Sequence, residues 1–157
     1  MKRPLLAAAL GGGVGGLLDI VYAIVLWGMI LGGTPTGVLQ SIAAGLLGKA
    51  AYEGGNATAA LGLALHFFIA FVMALVYVAV AARLPLLTRR PWICGALYGV
   101  MLFVIMNFVV VPLSAIGWRP MSTVGALRAL IPHVIFVGPA IALFARRYLR
   151  TDSTPSS

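Results

Sequence analysis

Four polar side chains interrupt the long apolar runs of this 157-residue sequence: Asp19, His66, Asn107 and His133. Imidazole exchanges protons near neutrality, and a carboxylate beside it can stabilise the charged ring or take the proton itself. Strongly polar groups are costly in hydrocarbon, so such residues face a bundle interior or a wet cavity. One chemistry they could perform is proton-linked or solute-translocating. Another is a bis-histidine haem b held by His66 and His133, with Arg119 and Arg128 near the mouth for the propionates. A third reading is purely structural: hydrogen bonds among the four that set helix register, each contributing about 0.6–2 kcal/mol. A zinc site built from Asp19 and the two histidines is disfavoured because their depths differ. No catalytic residues are expected, since Ser41, Ser114, Ser122 and Thr123 have no base beside them.

The elements that must position these residues follow from composition. Of the chain, 62% is hydrophobic and only 9% charged, against about 25% charged in an ordinary soluble domain. Too little polar surface exists to coat a water-soluble body of this size. The composition therefore excludes a soluble enzyme, a disordered chain and a disulfide framework, the last also because Cys94 is the single cysteine. The net charge of +8 arises from short Lys/Arg clusters at the ends of apolar runs. Those are anchors at lipid headgroups, and no nucleic-acid partner is expected.

A membrane helix needs about 20 mostly apolar residues. Four segments qualify, over about residues 5–31, 57–82, 92–113 and 129–145. The expected fold is thus an all-α integral membrane protein, one four-helix transmembrane domain over residues 1–150. Met1-Lys2-Arg3 and the apolar run behind it are read as an uncleaved first span. With the N-terminus inside, Lys2, Arg3, Arg83, Arg89, Arg90, Arg146, Arg147 and Arg150 lie on the cytoplasmic face, and Lys49, Arg119 and Arg128 outside. Both termini are then cytoplasmic. Residues 151–157 form a polar tail expected to be disordered.

Between spans one and two, residues 34–53 carry Pro35 at a helix start and Val38, Leu39, Ile42, Leu46 and Leu47 at spacings of three and four. An amphipathic helix at the outer interface, or a re-entrant half-helix, is predicted there, with Lys49 and Glu53 paired along its polar face. At 1.5 Å per residue, His66 lies roughly 9 Å, Asn107 about 8 Å and His133 about 6 Å below the outer edge, with Asp19 deeper at roughly 14 Å. Pro139 removes the donor for the Ile135 carbonyl, which the polar cluster could use as an acceptor.

In lipid, helices associate through close backbone packing and interhelical hydrogen bonds. Gly11, Gly12, Gly15 and Gly16 in the first span and Gly95 and Gly99 in the third form GxxxG pairs. They are expected to pack helices within the bundle or to form a homodimer seam.

The run from His66 through Tyr77, the short arginine-bearing turn, Gly95-Ala96-Leu97-Tyr98-Gly99 with Met106, Val111-Pro112-Leu113-Ser114, and His133 ahead of Arg146-Arg147 resemble the YagU-like group of small bacterial inner-membrane proteins. The likeness covers about Leu65 to Arg150, with a looser match in the first span. It implies a multi-pass protein of the bacterial cytoplasmic membrane, with His66, Pro112 and His133 at the family's matching positions. The family pattern has no aspartate at Asp19, and the resemblance implies no particular activity. The leading expectation is a non-enzymatic protein that senses or permits passage of protons or a small solute. The alternatives are a small b-type cytochrome and a structural or assembly subunit. Membrane lipids are the expected partners, with a second copy or another membrane protein as further candidates. A reporter fused behind Ser157 should be active only as a cytoplasmic fusion, and activity of a periplasmic reporter there would reverse the orientation.

Overall fold

The computed structural model describes residues 2–150; the polar tail 151–157 lies outside the described residues. Four helices are long and apolar enough to cross a membrane: α1 (Lys2–Ile30), α3 (Gly55–Ala81), α5 (Pro91–Leu113) and α6 (Thr123–Leu149). Two short helices join them, α2 (Pro35–Leu47) and α4 (Pro85–Arg89), and no strand occurs among the described residues. Helix starts follow local chemistry. Pro35, Pro85 and Pro91 occupy first-turn positions, where a missing N–H costs nothing. The side chains of Thr34 and Ser122 cap α2 and α6 by accepting from Gly37 N–H (3.0 Å) and Gly125 N–H (3.1 Å).

Helix order comes from the small residues. α1 lies between α3 and α6, presenting a different glycine pair to each. A methyl group at Gly12 would sit 2.8 Å from the Ala70 carbonyl oxygen, and one at Gly16 would sit 3.1 Å from the Ala70 methyl, both on α3. At Gly11 and Gly15 the same methyl would meet the α6 backbone, 3.1 Å from Ile141 Cα and 3.2 Å from Val137 Cα. α5 packs on the other side of α6: Gly95 faces Gly138 and Pro139, and Gly99 lies on the His133 carbonyl. All six glycines are therefore used within one chain. α5 meets α3 chiefly through side chains, with Tyr98 OH donating to Met73 O (2.6 Å) and its ring edge-on to Tyr77 at 4.8 Å.

Ala7, Ala8, Ala74, Tyr77, Val78, Leu102, Ile141, Ala142 and Ala145 close the bundle at the end holding the start of α1, the end of α6 and α4. At the other end α2 lies alongside α3, its backbone at Leu39 and Ala43 pressed on Gly62. Gln40, Ala43 and Ala44 form its buried seam, whereas Leu46 and Leu47 are exposed. The apolar spacing thus located the helix without identifying its packed face: close backbone approach favours the small residues. Gln40 Nε2 donates to Gly55 O (3.1 Å) and Thr58 Oγ1 (3.3 Å), tying α2 to the start of α3.

Three expectations are corrected. The fourth long helix begins at Thr123, not Ala129, because Ser122 caps it, and this draws Arg128 out of the connection into the helix. The helix predicted over residues 34–53 ends at Leu47. Gly48, at φ +61°, turns the chain into a tight 3₁₀ segment, Gly48–Tyr52. No ion pair joins Lys49 and Glu53 among the described residues, since they no longer share a regular helical face.

Two glycines of α1 make a sharp comparison. Gly12→Ala should cost about 1–3 kcal/mol through backbone overlap with α3. Gly13→Ala, whose methyl would meet nothing within 4 Å, should be neutral or stabilise by up to about 1 kcal/mol. Thermal unfolding of detergent-purified protein measures both.

Candidate functional site

Asp19, His66, Asn107 and His133 come from four different helices, and all line one cavity of about 410 Å³. α2 contributes Val38, Ser41 and Ile42 to its wall, and Trp27 stands at the α2 end. A smaller space of about 60 Å³ between Gly16, Ala70, Met73 and Val137 continues past Asp19, His66 and His133 toward the alanine-packed core. The polar cluster thus stands between the larger cavity and the alanine-packed core.

The glycine contacts aim the side chains. Where Gly16 meets Ala70 and Phe67, the neighbouring His66 directs Nε2 at the Gly16 carbonyl (2.8 Å). A carbonyl oxygen can only accept, so Nε2 carries the proton. The same nitrogen lies 4.0 Å from Asp19 Oδ2, one turn along α1. His133 Nδ1 donates in the same way to Ala129 O (2.8 Å), and Asn107 Nδ2 to Phe103 O (2.9 Å). Each imidazole therefore spends one nitrogen on backbone, leaving Nδ1 of His66 and Nε2 of His133 without a hydrogen-bond partner among the described residues. Asp19 accepts no hydrogen bond from the described residues, and its side chain remains 20% accessible.

Prolines shape the cavity walls. Pro112 and Pro139 have no N–H to donate four residues back, and their rings crowd that carbonyl. Just before each, the helix widens to a π turn: Val111 N–H bonds Met106 O, and Gly138 N–H bonds His133 O. A third wide turn, closed by Leu31 N–H on Leu26 O (2.9 Å), ends α1. Asn107 and His133 both belong to such turns, so the irregular backbone of α5 and α6 borders the cavity.

The expected role of the Ile135 carbonyl is not what the hydrogen bonds use. Pro132 is the proline that matters here: it deprives the Arg128 carbonyl of its helical donor, and Tyr22 OH on α1 takes the place (3.1 Å). Sequence reasoning missed Tyr22. The available signal was a hydroxyl three residues beyond Asp19 and an orphaned carbonyl four residues before Pro132.

Among the described residues no group of three His, Cys, Asp or Glu side chains is placed to hold one metal ion. A haem would have to take Nδ1 of His66 and Nε2 of His133. Phe67 and Phe103 stand edge-on to those rings at 5.4 and 6.3 Å, and His66 is bonded to the Gly16 carbonyl of α1. The haem reading gains no support from this geometry.

No protein-family model, curated protein or solved structure matches the chain.

The Tyr22–Arg128 bond can be isolated by a double-mutant cycle. Tyr22→Phe should cost about 0.5–1.5 kcal/mol. In a Pro132→Ala background, where the restored backbone N–H can serve the same carbonyl, the loss should shrink toward zero. Equal losses in both backgrounds would show that the proline does not create the need for the tyrosine.

Proposed function

We propose that this is a multi-pass protein of the bacterial inner membrane with both termini cytoplasmic, similar to the YagU-like group. In this reading it is non-enzymatic, and its cavity admits protons or a small solute from the outer side. α2 then lies at the outer interface, and lipids are its immediate partners. The observation that carries the reading is the convergence of Asp19, His66, Asn107 and His133 from four helices on one cavity. Isolated satisfied polar residues have no reason to share a space large enough for a ligand.

The chemistry follows from the unspent atoms. His66 can accept a proton at Nδ1 while Nε2 still donates to Gly16 O, and the resulting cation stands 4.0 Å from Asp19. His133 offers Nε2 to the same space. Protonation therefore changes the Asp19–His66 attraction in a low-dielectric site without breaking either backbone bond. That suffices for sensing. Passage further requires the alanine-packed core beyond Val137 to open, and the wide turns in α5 and α6 are the places where the helices are least regular.

One observation favours a second, structural reading: both imidazoles already bond backbone carbonyls. Reconstituted protein separates the two. His66→Ala and His133→Ala should each abolish a pH-dependent proton or solute flux in proteoliposomes while the thermal midpoint shifts by only a few degrees. Unchanged flux with a lowered midpoint would leave the histidines as register-setting bonds alone.

A further inference from the structure

The cavity does not end at α2. A second space of about 520 Å³ adjoins it, and the two share Ser41, Ile42, Ile69, Met106 and Val111 as walls. This second space runs between α3 and α5, past Leu65 and Val110, under Leu46 and Ile116. It exists because α5 is held to α6 by Gly95 and Gly99 and touches α3 mainly through Tyr98, far toward the termini end. Nearer α2, the backbones of α3 and α5 stand apart, and side chains and the 114–122 connection fill the gap only partly. Ala115 N–H bonds Gly45 O (2.9 Å), so α2 and that connection form a joint roof. If the long helices span a bilayer, the gap faces the side, toward lipid, in the outer half.

The side opening is mostly apolar, with Leu65, Ile69, Val110 and Val111 suited to an alkyl chain and Arg119 also on its wall, and the polar floor beyond suits a head group. Charge decides which head group. Among the described residues that line the inner cavity, Asp19 is the only carboxylic acid, and no Lys or Arg is among them. It accepts no hydrogen bond from the described residues and stays accessible from the cavity. A carboxylate in low dielectric is completed by a cation that also donates hydrogen bonds. We propose that the cavity takes a single-chain amphiphile with a primary amine head, entering sideways between α3 and α5, its ammonium on Asp19 and its chain leaving past Leu65 and Val110.

The proposal rests on the reading of the polar cavity as a ligand site, and it names the ligand class and the route. Dodecylamine, butylamine and dodecanol are the probes, titrated against full-length protein in phosphatidylcholine nanodiscs with the thermal midpoint as readout. Dodecylamine should raise the midpoint at low mole fraction in the lipid, and dodecanol, with the same chain and no charge, should not. The near-isosteric Asp19→Asn should weaken dodecylamine by about tenfold or more, the loss of one charge-assisted contact. Leu65→Trp, which narrows the side opening without touching the cluster, should weaken dodecylamine similarly and leave butylamine unaffected. Asp19-dependent binding of butylamine with none of dodecylamine would overturn the lateral route and leave a water-fed cavity intact. Equal stabilisation by dodecanol, or dodecylamine binding untouched by Asp19→Asn, would overturn the amine assignment. The proton or solute reading falls separately, on the flux of the two histidine variants.

Discussion

Everything around the cavity depends on how closely α1 can approach two neighbours at once. Residues one apart on a helix are turned by about 100°, so Gly12 and Gly16 face one way and Gly11 and Gly15 another. The first pair meets α3 at Ala70, the second meets α6 at Ile141 and Val137. Backbone contact on both sides leaves α1 almost no freedom to rotate or slide. Asp19, three residues past Gly16 and four past Gly15, is carried into the angle between the same two helices. His66 and His133 approach it from α3 and α6. A side chain as small as a methyl at Gly12 would push α3 outward and take His66 off the Gly16 carbonyl.

α5 depends on a second set of glycines. Gly95 and Gly99 bring it onto the stretch of α6 between His133 and Pro139, where the prolines have already loosened the helix. Proline therefore acts twice in α6. Pro139 follows the wide turn that includes His133, and Pro132 leaves the Arg128 carbonyl for Tyr22. Between them these two residues set the backbone on which His133 is mounted. Holding α5 on α6 also draws it away from α3, and the side opening is a consequence of that choice of neighbour.

Much of the fold was legible in the residues. Runs of apolar residues of sufficient length marked the four long helices, and Pro35 marked the start of α2. Where the reading failed, the deciding signal was short and local. Ser122 as a cap moved the start of α6 upstream, and Gly48 stopped α2 before Lys49 could pair with Glu53. The apolar spacing of α2 carried no information on which of its residues are buried in the bundle, and these are Gln40, Ala43 and Ala44. Burial of a large side chain gains little between helices in lipid, whereas small residues allow backbones to touch.

The four site residues stood out in the sequence because polarity inside an apolar run is rare and expensive, and helical rise alone placed three of them at similar depth. Their convergence on one cavity was not so determined. A helix apolar on every side carries no pattern saying which face turns inward. Rotation is set by which backbone a glycine touches, and that is a property of two helices at once. The same holds for the carbonyls that His66 and His133 choose, for Tyr22 reaching Arg128, and for the gap between α3 and α5. Composition along one chain marked out the four long helices and the polar residues that interrupt them, because apolar runs and their breaks are local features. Which helices become neighbours, and how each is rotated, depends on contacts between distant segments and is absent from any local pattern.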